Sequence, residues 1–266
     1  MSKKYKIVLI LLIVIIAISS YFIIKEFAEN KKETDLYEDL QEIVVKENEE
    51  YTNTVSNEQE ENKDSSSNNY NLENIAKINS DVIGWIKING TNIDYPVMQN
   101  GDYYLHRNIY KEYSSHGTPY LAEYCNVQYS DNLIIYGHHM NDNSMFAQLE
   151  EYKKKKFFEN HRYIDFYTFY NGKTIKNTYE VVIAFKTVVY TDAGFKYYNY
   201  TNFSDKQELN EFVSNCRNLQ FYDTGVDINY GDKLITLSTC EYSQKNGRMV
   251  VVAKKYKNLE VKKCQK

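Results

Sequence analysis

The sequence has no closely spaced cysteines and no surplus of positive charge. Its four cysteines, Cys125, Cys216, Cys240 and Cys264, lie far apart, with no C-x-x-C pair. That spacing argues against a zinc site, and nothing forces a disulfide framework on a chain of 266 residues. No other metal-ligand spacing occurs, so no metal and no cofactor are expected. The formal net charge is −4, which argues against nucleic acid as a partner. The one strongly cationic cluster, Lys153–Lys156, reads as a solvated helix end. Tyrosine is abundant (27 residues) alongside many Asn and Lys, a bias that codon usage explains as readily as chemistry.

The N-terminus does hold a long hydrophobic run. Residues 7–24, IVLILLIVIIAISSYFII, are apolar apart from two serines and a tyrosine. As a helix they rise roughly 27 Å, close to the hydrocarbon thickness of a bilayer. Lys3, Lys4 and Lys6 precede the run, while the lysines after it are offset by Glu26, Glu29 and Glu33. The positive-inside rule therefore predicts a single-pass anchor in the cell membrane, with residues 1–6 cytoplasmic and everything beyond Lys25 outside. A cleaved signal peptide is the competing reading. The length of the run and the lack of a small-x-small cleavage site oppose it.

Residues 25–69 read as an extracellular polar and acidic linker. Leu36, Leu40, Ile43 and Val44 recur at helical spacing and predict a short amphipathic helix. SNEQEENKDSSSNN (residues 56–69) has little to bury and reads as a solvated tether.

Residues 70–266 form the folded domain. Leu72, Ile75, Ala76 and Ile78 predict one short helix over 71–79. From Val82 the period shifts to strands. WIKI, an Asn89-Gly90 turn and TNIDYPV predict a hairpin. Further β-like runs cover Pro119–Tyr124, Asn132–Tyr136, Tyr163–Thr168, Tyr179–Tyr190, Lys233–Thr239 and Arg248–Tyr256. About eight strands with few helices between them predict a mainly β fold, a closed antiparallel barrel. Two helices interrupt it, one near Ser144–Tyr152 and one over Ser204–Leu219. In the second, Ser204 and Gln207 form a capping box, and Leu209, Phe212, Val213, Cys216 and Leu219 make an apolar stripe.

The stretch GDKLITLSTCEYSQKNGRMVVV (residues 231–252) gathers the chemistry. It predicts two strands, with Cys240 ending the first and Arg248 opening the second. Alternation puts Thr236, Ser238 and Cys240 on one face. A thiol opposite a fixed guanidinium suits covalent acyl chemistry through an oxyanion; a buried structural cysteine beside a surface arginine is the competing reading. A nucleophilic thiol also needs a base. His106, His116 and His161 lie in polar surroundings that predict surface positions. His138 and His139 follow the apolar strand NLIIY and Gly137, whose freedom to turn would present a histidine at a cleft.

Together these segments resemble the sortases, cysteine transpeptidases of the Gram-positive cell surface. Thr236-Leu237-Ser238-Thr239-Cys240 matches the family's TLxTC motif, Gly137-His138 its glycine-histidine, and Gly247-Arg248 its arginine. DVIGWIKINGTNIDYPVMQ (81–99), YGHHMNDNSMFAQL (136–149) and the helix before the cysteine strand are similar to class B in particular. The resemblance spans about residues 71–257. It implies a sortase-type barrel with an N-terminal helix and a helix inserted before the catalytic-cysteine strand. It also implies Cys240, His138 and Arg248 as catalytic residues, with Ser238, Thr239 and Glu241 around the substrate and oxyanion. His138 is preferred to His139 because it directly follows the glycine of the motif.

The implied reaction cleaves a C-terminal sorting signal of NPxT type after Thr and transfers the secreted protein to a peptidoglycan amine. The calcium site of class A would need an acidic constellation that is not identified here. A pilus-polymerising sortase using a pilin lysine is an alternative, although no N-terminal lid motif stands out in residues 26–70. A hydrolytic surface cysteine peptidase is another, and a non-enzymatic surface adhesin the most remote.

Overall fold

The computed structural model describes residues 3–55, 70–191 and 194–256. They divide into two units, with the boundary between Glu42 and Ile43. Helix α1 covers Lys3–Val55. Its apolar stretch is solvent-exposed throughout, as Ile10, Leu12, Ile15 and Phe22 illustrate. A segment within Lys4–Val45 is long and apolar enough to cross a membrane. The amphipathic helix expected around Leu36–Val44 is not separate from the apolar run but continuous with it. Residues 26–55 contain neither Gly nor Pro, so nothing local stops the helix. Lys25 and Glu29 add an (i, i+4) ion pair of 3.6 Å. The predicted tether, residues 56–69, and Cys264 lie outside the described residues.

The second unit is built on eight strands. These are β1 (Val82–Lys87), β2 (Asp94–Met98), β3 (Tyr120–Leu121), β4 (Asn132–Tyr136), β5 (Tyr163–Tyr170), β6 (Lys173–Val188), β7 (Leu234–Glu241) and β8 (Gly247–Lys255). They close into a barrel in the order β1-β2-β3-β4-β7-β8-β6-β5, with β5 returning to β1. The sequence-based expectation of eight strands and closure holds. The expectation of a wholly antiparallel barrel does not, because β4 pairs parallel with β7 and β2 with β3. A parallel neighbour requires a long crossover. The short helix expected over 71–79 is α2 (Glu73–Ile78); after β4 the chain runs through α3 (Lys155–Asn160), the β5–β6 hairpin and α4 (Lys206–Leu219), and only then lays down β7. Local periodicity carries no information about so remote a partner.

This parallel pair positions the site. Because β4 and β7 run the same way, their C-terminal ends share one rim of the barrel. β8 runs antiparallel to β7, so its first residues return to that rim. The strands themselves are cemented by apolar side chains: Trp85, Ile86, Val97, Ile134, Phe166, Ile183, Phe185, Leu237 and Val250 are all buried.

Several local expectations shift. The β1–β2 connection spans residues 88–93, not a two-residue turn. Thr91 N–H donates to the Ile88 carbonyl at 3.2 Å, and Gly90 alone takes a positive φ, +79°, as a type II turn demands. The helix expected at Ser144–Tyr152 is a 3-10 segment over Ala147–Lys153, since Met145 has φ 53° and cannot lie in a helix. Helix α4 starts one residue later than expected. Asp205 is the cap, accepting from Glu208 N–H at 2.9 Å, while the Glu208 carboxylate takes the Ser204 N–H at 2.7 Å. An ionised carboxylate is a stronger acceptor there than the Ser204 hydroxyl. Cys216 is buried on the stripe of α4, as its spacing predicts.

Candidate active site

Cys240 and Arg248 are direct register partners across the β7–β8 ladder. Opposed residues on antiparallel strands hold their Cβ atoms about 5 Å apart on the same face. Of the described cysteines, Cys125 and Cys216 are buried and only Cys240 is partly exposed. Burial pushes the Cys125 and Cys216 thiols up, away from the reactive thiolate. Cys125 is also engaged locally, donating to the Asn132 carbonyl at 3.4 Å.

The parallel β4–β7 ladder ends with Tyr136 opposite Ser238, and Gly137 N–H donates to the Ser238 carbonyl at 3.1 Å. Cys240 lies two residues further along β7, and His138 two residues past the end of β4. The Gly137–Ser238 hydrogen bond carries the pairing one residue beyond β4, which brings His138 to the rim beside the end of the cysteine strand. Gly137 takes no left-handed conformation, contrary to the turning role expected of it. Its requirement is space, because a Cβ there would come within 2.6 Å of the Phe146 ring.

The His138 ring is held by the Leu105 carbonyl, 2.7 Å from Nε2. A carbonyl only accepts, so Nε2 carries the hydrogen and Nδ1 is the nitrogen free to take or give a proton. The ring also stacks on His106, with centroids 5.4 Å apart. Burial, outweighing the Leu105 hydrogen bond, holds its pKa below the ordinary histidine value, and His106 and His116 add to the lowering. His139 has a different attachment. Its Nδ1 donates to the Cys240 carbonyl at 3.1 Å, and Tyr242 packs edge-on against the His139 ring and donates its hydroxyl to the His139 carbonyl at 3.1 Å.

The three residues expected around the oxyanion separate by face. Ser238 lies on the Cys240 face, buried, with its hydroxyl 2.6 Å from that of Tyr197. The side chains of Thr239 and Glu241 alternate to the other face, so on the thiol's side these two residues offer only backbone. Thr239 Oγ1 is buried without a hydrogen-bond partner. Burial would raise the Glu241 carboxyl, but hydrogen bonds from Lys153 and Ser243 and the charges of Lys153 and Lys186 outweigh it and hold the group below the usual range.

A tyrosine cluster that motif reading missed surrounds the thiol–guanidinium pair. Tyr190 lies 6.0 Å from the Arg248 guanidinium. Burial first, with Asp102 and Tyr190 adding, pushes Tyr120 up to about 12, partly opposed by Arg248. Tyr197 is also pushed up to about 12, chiefly by burial. High tyrosine content was the only available signal, and it did not single these out. A separate groove of about 910 Å³ beside α4, bordered by Lys186, Lys196, Glu208 and Glu211, includes none of Cys240, His138 or Arg248. Among the described residues no His, Cys, Asp or Glu group of three or more could hold a metal.

A closed barrel with a part-exposed thiol facing a guanidinium, and a histidine at the neighbouring strand end, has the parts of a cysteine acyltransferase. The Sortase domain model matches residues 86–256, and the chain belongs to the sortase family. Its relatives assign it to class B. Sortase B of Staphylococcus aureus is 35% identical over 262 residues, spanning 96% of this chain and 97% of the relative. Sortase B of Listeria monocytogenes is 35% identical over 204 residues, spanning 72% and 79%. The solved Staphylococcus aureus sortase B–substrate complex superposes with a TM-score of 0.71 at 31% identity, covering 87% of this chain and 99% of that one. The protein is thus a cysteine transpeptidase that acts on surface proteins.

Proposed function

We propose that Cys240, His138 and Arg248 carry this reaction and that the enzyme anchors proteins to the cell wall. The Cys240 thiolate attacks the threonine carbonyl of an NPxT-type sorting signal, forming a C–S bond. The tetrahedral oxyanion is held by the Arg248 guanidinium and by backbone N–H near Glu241. His138 donates a proton to the departing amine, leaving a thioester. It then removes a proton from an incoming peptidoglycan amine, which attacks the thioester and releases Cys240. The observation that carries the reading is the register pairing of Cys240 with Arg248. Support for the base comes from the His138–Leu105 hydrogen bond, which leaves Nδ1 as the proton carrier.

Residues 7–24 serve as a membrane anchor in this reading, with the N-terminus cytoplasmic and the barrel outside. The long exposed apolar helix and the lysines ahead of it support that orientation.

The test uses the full chain in detergent with a quenched peptide pool Asn-Pro-Xaa-Thr, Xaa randomised, with and without hydroxylamine as the amine. Transfer predicts faster turnover with hydroxylamine, a hydroxamate product ending in Thr, and an acyl-enzyme on Cys240 seen by mass spectrometry. Hydrolysis at the same rate with or without the amine would instead make the protein a surface peptidase.

A further inference from the structure

His116 was expected at the surface and is 1% exposed. Its Nε2 lies 3.0 Å from Asp142 Oδ2. The carboxylate accepts, so Nε2 carries the hydrogen. Asp142 Oδ1 in turn accepts from Ser144 N–H at 3.0 Å. Burial would raise the Asp142 carboxyl, but the hydrogen bonds from His116 and Ser144 outweigh it and keep the group ionised.

The two partners belong to different loops, and both loops end on His138. Asp142 sits in the loop that starts at His138. Phe146 N–H closes this loop on the His138 carbonyl at 2.8 Å, and Met145 N–H donates to the Tyr95 hydroxyl at 3.1 Å. Asn143 and Met145, with φ 69° and 53°, fix its path. His116 sits in a turn that grips the segment on the other side of His138. Ser114 N–H donates to the His106 carbonyl at 3.1 Å and Thr118 N–H to the Tyr104 carbonyl at 3.0 Å. Between those two lies Leu105, whose carbonyl fixes the His138 ring. Gly117 is pressed so close that any Cβ would overlap the Leu105 carbonyl oxygen.

We infer that His116 and Asp142 are a positioning pair that locks the His138 imidazole between its own loop and the Leu105 carbonyl. The inference rests on His138 being the acid/base of the proposed mechanism. The hydrogen bonds form a closed circuit from the His138 ring to Leu105, through the 114–118 turn to His116, across to Asp142 and back along the loop to His138. Opening the circuit at His116–Asp142, its one joint between two side chains, frees the two loops to separate. The ring then loses the fixed tautomer and aim that proton transfer to the leaving amine requires.

The experiment compares His116→Ala, Asp142→Asn, the double variant, His116→Gln and His138→Ala in the full chain, with the Asn-Pro-Xaa-Thr pool and hydroxylamine. Rates are normalised to the Cys240 thiol that forms acyl-enzyme. Each single variant is expected to lower kcat about 10–100-fold, as loss of an orienting partner does elsewhere, with KM within about threefold. The double variant is expected to be no slower than the poorer single. His116→Gln, which keeps an N–H within reach of Asp142, is expected to recover most of the loss. A kcat for His116→Ala within about twofold of the parent, beside an inactive His138→Ala, would overturn the inference alone. So would losses that add in the double variant or that Gln fails to recover. Full activity in His138→Ala would instead strike the acid/base reading itself.

Discussion

Lys153 Nζ lies 2.7 Å from Glu241 Oε1, joining the 3-10 segment after the His138 loop to the residue that follows Cys240. Glu241 is 2% exposed and Lys153 also reaches Glu150 at 2.6 Å. Removing the cation leaves a buried carboxylate short of its main partner. Lys153→Ala is expected to cost about 2–4 kcal/mol in chemical denaturation, somewhat less than the roughly 3–5 kcal/mol of a fully buried pair because Lys153 is 31% exposed. The sign with pH follows from the lowered pKa of Glu241. Its contribution is present above the ordinary carboxylate value and is lost as pH falls through the lower folded value. Acid unfolding of Lys153→Ala should therefore begin at higher pH than in the parent, followed by circular dichroism.

Arg248 faces Cys240 with a planar, multiply donating head, which an ammonium does not reproduce. Arg248→Lys is expected to lower kcat/KM by about 100–1,000-fold, the effect of losing one oxyanion donor. The melting temperature should stay within a few degrees, because Arg248 lies at the rim. Steady-state kinetics and a thermal melt on the same preparation check both.

His138 has a pKa below the ordinary histidine value, so its neutral form persists to lower pH. The acid limb of kcat/KM should fall below pH 6.5, the usual histidine value. The same group stabilises the fold fully above about 6.5 and progressively less as pH drops toward its folded value, since the unfolded chain binds the proton first. In His138→Gln this part of the pH dependence of stability should vanish.

The buried Tyr197–Ser238 hydroxyl pair, 2.6 Å apart, ties the loop after β6 to the cysteine strand. Tyr197→Phe and Ser238→Ala should each cost about 1–2 kcal/mol by stranding a buried partner. The double variant should cost less than their sum, a coupling that a denaturation cycle measures directly.

What sequence reading recovers is what local pattern carries. A continuous apolar, β-branched run delimits Asn132–Tyr136, and TLSTC with Gly-Arg marks the facing pair Cys240 and Arg248. The parallel β4–β7 pairing was not legible, because two strands a hundred residues apart leave no trace of direction in either one. His116 was misread as a surface residue because its neighbours, Ser114 and Ser115, are polar. It is buried, and its ring partner Asp142 is linked to it by no periodicity. Thr239 lies within the motif and Glu241 just after it, yet alternation turns both side chains from the thiol, and nothing local to them signals Lys153 on that side.

The crossover from β4 to β7 has one more consequence. Beyond the His138 loop it contains the β5–β6 hairpin and α4; the β7–β8 ladder sets the thiol against the guanidinium, while the Leu105 carbonyl holds the imidazole. Exchanging the β6–β7 portion of this excursion for that of a relative, with the strand ends and Tyr197 kept, is expected to leave the Cys240–Arg248 register in place. Helix α4 and the thiol–guanidinium ladder thus occupy separable lengths of chain.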